Sequence, residues 1–272
     1  MKRLSIETLE DKAKQIRRHI IRMLAKAGSG HPGGSLSAAD LIVALYYGKL
    51  RHDPKNPDWP DRDRFVLSKG HSCPALYAVL AEVGYFPVSE LDTLRQFGSR
   101  LQGHPDKHLT PGIEISSGSL GQGLSVGLGM ALAARMDKKD YRVYVMLGDG
   151  EIEEGQVWEA AMAASHYGLD NLCAIVDNNG LQIDGPINVV MSPLPIPDKW
   201  LAFGWNVIQI NGHDMEKILE AYDEAETLEG KPTVIIAKTI KGKGVSFMEG
   251  EVGWHGKAPN QDQAEKALAE LA

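Results

Sequence analysis

The stretch that decides the fold is RVYVMLGDGEIEEGQVWEAAMAASHYGLDNLCAIVDNN, at residues 142–179. Its apolar runs at 142–147 and 172–176 are typical of buried strands, and the segment 154–167 between them predicts a helix. Because a strand–helix–strand unit makes a right-handed crossover between parallel strands, the stretch predicts an α/β fold. We expect a parallel β-sheet flanked by helices on both faces.

Working outward, further strands are predicted at 64–67, 206–210 and 233–237. Helices are predicted at 6–27, near 37–48 with Ser37 and Asp40 as a capping pair, at 73–83, at 119–136 and at 214–229. The segment 95–118 is long and irregular, which is typical of a functional loop. Since no linker, repeat or low-complexity tract interrupts these elements, we expect residues 1–272 to form one domain.

Composition excludes several classes of protein. The 29 Lys and Arg against 36 Asp and Glu give a net charge of −7, which argues against a nucleic-acid-binding protein. No apolar run reaches the roughly 18 residues of a membrane span, and the charged N-terminus has no secretory h-region. Cys73 and Cys173 cannot build a disulfide framework or a full metal site, so the cytoplasm is the expected location.

Polar residues follow the two strands of the opening stretch. Asp149, between Gly148 and Gly150, follows the first strand, and Asn179 follows the second. If the strands are neighbours, both loops open onto one crevice at the carboxyl edge of the sheet. A carboxylate, an amide oxygen and a backbone carbonyl of the Asn loop suit Mg²⁺ shared with a phosphate. A Gly-Asp-Gly turn alone would equally suit turn geometry with no ligand.

Histidine next to glycine recurs in the predicted loops, at His31, His71, His104, His213 and His255. Bare backbone beside an imidazole is typical of ligand-binding loops. Histidines without the metal motif are more often surface residues, which is our expectation for His19, His52, His108 and His166. His213, in NGHD, is expected to be a loop or helix-cap residue.

Ordered motifs then carry a resemblance to a known family. The run from GDG to NNGLQIDG resembles the thiamine diphosphate fingerprint in its transketolase version. SGHPGGSLSAAD at 29–40, SKGHSCPALY at 68–77, LQGHPD at 101–106, SSGSLGQGLS at 116–125 and KTIKGKGVSFME at 238–249 also resemble transketolase motifs. The resemblance covers residues 10 to 260 and is to the N-terminal, diphosphate-binding domain. Ser119 departs from the family pattern, since most full-length members have proline there.

The resemblance implies roles for individual residues. It implies Mg²⁺, or another divalent cation such as Ca²⁺ or Mn²⁺, at Asp149, Asn179 and the Leu181 carbonyl. It implies substrate-facing imidazoles that handle hydroxyl protons, and acids near the two-fold axis that link paired sites. The implied catalytic residues are His31, His104, His255 and Glu154, with Glu159 as a further acid. The implied cofactor-binding residues are His71, Gly118, Ser119, Leu120, Gly148, Asp149, Gly150, Glu151, Asn179, Ile183 and His255.

The resemblance also implies a partner. In transketolases the glutamate that activates the aminopyrimidine and the groups that bind the sugar phosphate lie in the pyrimidine-binding and C-terminal domains, which we expect this chain to lack. We therefore expect the N-terminal subunit of a split transketolase, or a piece of a longer one, inactive without a C-terminal subunit. It would transfer a two-carbon ketol unit from a ketose phosphate to an aldose phosphate in pentose phosphate metabolism. Self-association across a two-fold axis would make a heterotetramer.

Three alternatives stay open. The chain could belong to another thiamine diphosphate enzyme, such as a deoxyxylulose-phosphate synthase or a dehydrogenase α subunit. It could be a non-catalytic module that binds Mg²⁺ and a diphosphate, or an unrelated α/β domain with loop histidines.

Lys241 and Lys243 could belong to a loop that closes over the diphosphate or could simply be solvated. The acids Glu151, Glu153, Glu154 and Glu159 could merely be solvated at a helix N-terminus.

Overall fold

A sheet of parallel strands organises the chain, and the computed structural model describes residues 4–272 of it. The strands between those residues are β1 (Arg64–Leu67), β2 (Val143–Gly148), β3 (Leu172–Asn178), β4 (Asn206–Asn211) and β5 (Thr233–Lys238). They pair in the order β1-β2-β3-β5-β4. The strands predicted from the opening stretch, β2 and β3, are neighbours, with Gly148 opposite Asp177 at their carboxyl ends. The predicted α/β fold is therefore confirmed.

Helices connect and cover the strands. The first is amphipathic, starts after the Ser5 N-cap and stops at Gly28, where φ is 63°. The predicted boundaries of the helices hold to within a few residues except at the second helix. The α-helices are α1 (Ile6–Ala27), α2 (Pro32–Gly48), α3 (Cys73–Val83), α4 (Gln122–Met136), α5 (Gly155–His166), α6 (Ile187–Val190), α7 (Ile196–Ala202), α8 (Met215–Thr227) and α9 (Gln261–Glu270).

The two faces of the sheet bury separate cores. Alternate residues of one strand point to opposite faces, so Tyr144 packs with α1, α2, α3 and α8. Its neighbour Val145 packs with α4, α5 and α7 on the other side. Both faces are apolar and covered, which explains why the strands read as continuous apolar runs. The carboxyl ends of the strands, which carry polar residues, are therefore the expected place for a ligand.

The second helix starts earlier than the sequence pattern predicts. It begins at Pro32, whose fixed φ suits the first helical position, and it is buried along most of its length. Ser37 and Asp40 lie inside the helix and are buried, so the predicted capping pair is wrong. Ser37 donates to Asp177 and Asp40 accepts from Arg17. Long-range polar partners, rather than a local cap, hold these two side chains.

Two histidines expected on the surface are buried. His19 contacts the Glu82 carboxylate at 2.9 Å, and His52 contacts the Tyr46 carbonyl at 3.0 Å. The surface prediction was wrong for both, because it ignored partners brought in by the helical layer. His108 and His166 are exposed, as predicted.

Two further observations concern membrane spans and cysteine pairing. Between residues 4 and 272, none of the helices combines the length and apolar character needed to cross a bilayer. Cys73 and Cys173 are both buried and unpaired with each other.

Candidate functional site

A cleft of about 770 Å³ opens at the carboxyl ends of β1, β2, β3 and β5. The loops after these strands and the start of α2 form its wall, as expected for an open parallel sheet. The structure brings together nearly all the residues that the sequence pointed to. Those on the wall are His31, His71, His104, His255, Gly118, Leu120, Gly148, Asp149, Gly150, Glu151, Glu154, Asn179, Leu181 and Ile183.

Asp149 and the loop of Asn179 form the floor. The two Asp149 carboxylate oxygens accept from the Gly150 amide at 2.9 Å and the Gly180 amide at 2.5 Å. The Asn179 side-chain oxygen accepts from the Leu181 amide at 3.1 Å. Burial, and then the nearby Asp177, raise the pKa of Asp149 to about 7. A cation at this carboxylate would offset both effects.

Four imidazoles line the side of the cleft. The His31 ring centroid lies 5.2 Å from that of His71, 6.3 Å from that of His104 and 5.5 Å from that of His255. Residues 31, 71, 104 and 255 come from four separate loops, so only the fold brings them together. Such a cluster can pass protons between several atoms of one bound molecule.

These imidazoles are uncharged at neutral pH. Burial, with Arg95 second, lowers the pKa of His31 to about 4. Burial, with Lys241 second, lowers the pKa of His255 to about 4. Burial also lowers the pKa of His71 and of His104. A neutral imidazole can accept a proton, so the cluster is suited to general base chemistry.

A buried ion pair supports the floor from beneath. The Lys69 ammonium donates to the Asp177 carboxylate and, at 3.0 Å, to the Gly34 carbonyl. Ser37 and Thr239 also donate to Asp177. The Asp177 carboxylate therefore joins β3, the end of β1, the start of α2 and the end of β5. This network fixes four cleft-bearing segments relative to one another.

The paired glycines at the start of α2 allow close packing beneath the cleft. A Cβ atom on Gly33 would lie 2.8 Å from Cγ of Lys241, and one on Gly34 would lie 2.8 Å from Oγ of Ser72. Neither position has room for a side chain. The glycines in HPGG thus let two loops approach the first turn of α2.

Lys241 is buried in the cleft rather than solvated. Its ammonium donates to Nδ1 of His255 at 2.9 Å and to the Leu181 carbonyl at 3.3 Å. The solvated alternative is therefore wrong for Lys241. Lys243 lies outside the cleft wall and pairs with Glu249 at 3.3 Å.

Comparison with known proteins agrees with this geometry. Residues 9–271 match the family described as transketolase, thiamine diphosphate binding domain. The chain belongs to the transketolase family. It is 47% identical over 269 residues to an apulose-4-phosphate transketolase subunit of Phocaeicola vulgatus, covering 99% of this chain and 95% of that one.

The chain is also similar to other transketolases. The chain is 48% identical over 263 residues to the 6-deoxy-6-sulfo-D-fructose transketolase subunit SqwG of Clostridium sp. (strain MSTE9), covering 97% of this chain and 96% of that one. The crystal structure of transketolase from Campylobacter jejuni superposes with a TM-score of 0.93 at 36% identity. That match covers 98% of this chain but 43% of the Campylobacter chain.

Not every residue implied by the transketolase resemblance lies on the wall. Ser119 is exposed and is absent from the lining, although its neighbours Gly118 and Leu120 belong to it. Glu159 is likewise exposed and outside the lining, whereas Glu154 is exposed at the rim of the cleft.

The Glu151 carboxylate is satisfied by the protein itself. Its oxygens accept from the Gly121 and Gly148 amides, each at 2.9 Å, and from the Ser68 hydroxyl. This side chain is buried and connects the start of α4 to the ends of β1 and β2. It is therefore neither solvated nor available as a free acceptor.

The oxygen atoms on the floor of the cleft are of the kind that binds a divalent cation with a diphosphate. Within residues 4–272 no group of three His, Cys, Asp or Glu side chains could hold a metal. The donor set is instead one carboxylate, one amide and one carbonyl, which suits Mg²⁺ shared with phosphate oxygens. Each of these oxygens accepts at least one hydrogen bond from the protein and keeps a further lone pair for a cation. The buried Nδ1 atom of His31 has no protein partner within the same residues.

Sequence reasoning missed part of the wall and of its support. Lys69 lies inside the quoted SKGH motif and Asp177 directly precedes the Asn pair, yet neither was singled out. Their importance appears only because residues 108 positions apart meet as an ion pair. Further lining residues that were not assigned a role are Gln182, Val190 and Met191, and Glu153 was named only as an acid at a helix N-terminus.

Proposed function

We propose that this chain is the thiamine diphosphate-binding subunit of a two-chain transketolase and that its cleft holds the cofactor with Mg²⁺. The observation that carries the proposal is one cleft that unites an oxygen donor set with four neutral imidazoles, in a member of the transketolase family. Non-catalytic binding alone would not require the imidazole cluster.

Asp149, Asn179 and the Leu181 carbonyl would hold the metal ion, and their loops already lie side by side. His71, His255 and the Gly150 amide would hold the diphosphate. The buried ammonium groups of Lys69 and Lys241 add positive charge at this end of the cleft. Gly118 and Leu120 would border the aminopyrimidine, and the exposed Ile183 would pack on the thiazolium.

Thiamine diphosphate, when bound, supplies the carbanion equivalent and electron sink that two-carbon ketol transfer requires. His31 and His104 would accept and return hydroxyl protons of the sugar, because their lowered pKa values keep them uncharged near neutral pH. A general base of this kind contributes about 10² or more to a rate. Nδ1 of His255 accepts from Lys241, so Nε2 carries the ring proton and His255 would donate a hydrogen bond to an oxygen of the bound molecules.

A second chain would complete the active site. The similar proteins from Phocaeicola and Clostridium are named transketolase subunits, and this chain spans 43% of the Campylobacter transketolase. The partner would contribute the glutamate that contacts the aminopyrimidine and the groups that bind the substrate's phosphate. The donor would be a ketose phosphate and the acceptor an aldose phosphate.

The same proposal includes a heterotetramer with two copies of each chain. On α4, Val126 is partly exposed, and a Cβ atom on Gly129 would meet nothing within 4 Å among the described residues. Small and apolar residues on an exposed helix face suit close packing against a second copy. We place the complex in the cytoplasm, in keeping with the two buried, unpaired cysteines.

Two measurements test the proposed function. Calorimetry of the chain with thiamine diphosphate and Mg²⁺, alone and with its co-purified partner, should show Mg²⁺-dependent binding. Turnover of a ketose donor with an aldose acceptor should require both chains. Absence of cofactor binding in both samples contradicts the proposal, and binding without transfer in the complex favours a non-catalytic module.

A further inference from the structure

The NGHD motif at residues 211–214 has no part in the proposed chemistry, yet His213 makes two specific contacts. Its Nδ1–H donates to the Asp40 carboxylate at 2.6 Å. Its Nε2 accepts from the Ile240 amide at 2.8 Å. A backbone N–H can only donate, so Nε2 carries no proton and the imidazole has a fixed tautomer. The ring joins a buried helix to the loop after β5.

Asp40 is itself held firmly inside α2. Arg17 of α1 donates to both of its oxygens, at 3.0 and 2.6 Å. The side chains of Arg17, Asp40 and His213 are all largely buried, with 7%, 9% and 11% exposed. Burial alone would raise the pKa of Asp40, but Arg17 and His213 lower it below its usual range. Asp40 is therefore a charged acceptor that orients the imidazole.

The amide N–H that donates to His213 belongs to Ile240, which lies in a loop that also carries a cleft residue. Ile240 directly precedes Lys241, whose ammonium contacts the Leu181 carbonyl and His255. The Gly242 amide, two residues after Ile240, donates to the Gly33 carbonyl at 3.0 Å. This hydrogen bond fixes the loop against the start of α2. The loop 239–244 is thus attached on one side by His213 and on the other by α2. At its start, Thr239 also contacts Asp177 and the Asn178 carbonyl.

We propose that His213, oriented by Asp40, is a positioning residue that fixes the loop 239–244 and through it Lys241. It does not touch the cleft, since it is absent from the lining. The effect of His213 on cofactor affinity rests on the proposed function, whereas its effect on the loop does not.

Two substitutions separate the two contacts of the ring. In His213→Asn the amide nitrogen stands where Nδ1 was, so the bond to Asp40 is kept and the acceptor for Ile240 is lost. In His213→Gln the amide oxygen stands where Nε2 was, so the acceptor for Ile240 is kept. A matched control is His52→Asn, because His52 is also buried and also contacts a backbone group, at 3.0 Å from the Tyr46 carbonyl, away from the cleft.

The direct test is amide hydrogen exchange of the full chain. His213→Asn should accelerate exchange in 239–244 by about tenfold while β5 stays protected, since losing one typical hydrogen bond shifts an equilibrium by that factor. His213→Gln should restore most of the protection. Wild-type exchange rates in His213→Asn, or equal acceleration in His52→Asn, overturn the proposal. Should His213→Asn not fold, unprotected Ile240 in His213→Gln overturns it and retained protection supports it.

Calorimetry with thiamine diphosphate and Mg²⁺ adds the functional readout. His213→Asn should weaken binding by about tenfold, with His213→Gln and His52→Asn near wild type. Unchanged affinity in His213→Asn contradicts the link to Lys241. If wild type itself binds no cofactor, the proposed function fails, and the exchange comparison still decides the positioning role.

Discussion

Buried polar side chains occur in two regions of this molecule, the helical layer of α1 to α3 and the cleft. The two regions differ in how these side chains are paired. Under helices α1 to α3, the largely buried carboxylates of Asp40 and Glu82 meet Arg17 and Lys12, each within ion-pair distance. In the cleft, the buried Nδ1 atom of His31 has no protein partner among the described residues, and the pKa of Asp149 is raised to about 7. These carboxylates of the helical layer are paired with cations of the protein, whereas in the described part of the chain the Asp149 carboxylate of the cleft is held by backbone amides alone.

This difference separates structural from functional residues better than residue type does. Histidine occurs in both regions, as His19 and His52 in the layer and as His31 and His71 in the cleft. A buried polar atom without a partner costs free energy, and at His31 a ligand bound in the cleft would supply the partner. Substitutions in the layer should therefore change stability, and substitutions in the cleft should change binding and turnover.

The largest expected effect is in the layer. Arg17→Met leaves the buried Asp40 carboxylate without its bidentate partner, which should lower the free energy of unfolding by about 3–5 kcal/mol. Urea unfolding measures the change. Lys26→Met on the same helix is the control, because the pair of Lys26 with Asp92 is about half exposed and should cost at most about 1 kcal/mol. Equal losses in the two variants would contradict the contrast between buried and exposed pairs.

In the cleft, Asp149→Asn should affect cofactor binding rather than the stability of the fold. Removing the single carboxylate of the proposed donor set should weaken thiamine diphosphate binding in Mg²⁺ by more than about 100-fold, beyond the effect typical of residues outside the metal shell. Calorimetry checks the affinity and urea unfolding checks the fold. The control is Asp170→Asn, since Asp170 accepts from the Gly230 amide before the opposite end of β3. Retained Mg²⁺-dependent binding in Asp149→Asn would remove this residue from the site.

The fold and most of the cleft residues could be predicted from the sequence because both depend on local patterns. Strand β1 matches its predicted bounds, and β2 and β3 end where Asp149 and Asn179 were expected to follow. The carboxyl ends of parallel strands share one edge, so loop residues of separate motifs could be placed together without knowing the helices.

What the sequence could not predict depends on contacts between distant segments. The ion pair of Lys69 with Asp177 joins residues 108 positions apart, and His19 meets Glu82 across 63 positions. Ser37 was misplaced as a cap for the same reason, because inside α2 its hydroxyl donates to Asp177, which lies 140 positions away. Such pairs require the three-dimensional packing of the helical layer.

His31→Ala should separate chemistry from binding within the cleft. In the two-chain complex, the kcat for ketol transfer should fall by about 100-fold, because one general base is lost while neighbouring imidazoles remain. The affinity for thiamine diphosphate should stay near wild type. His108→Ala is the control, since His108 is exposed and outside the cleft. Unchanged kcat in His31→Ala would assign the proton transfers to other groups.

The smallest expected effect returns to the helical layer and depends on pH. Glu82 accepts from Lys12 at 2.9 Å and contacts His19 at 2.9 Å; burial would raise its pKa, but these partners lower it below 4.5. A carboxyl group with a lowered pKa in the folded state stabilises above its unfolded pKa, and the stabilisation is lost on acidification. Glu82→Gln should therefore cost about 1 kcal/mol at pH 7, and the difference from wild type should start to shrink near pH 4.5 and vanish only below the lowered pKa of Glu82. Urea unfolding across this pH range measures it, with the exposed Glu10→Gln as control. A pH-independent difference would mean that packing, and not charge, makes Glu82 stabilising.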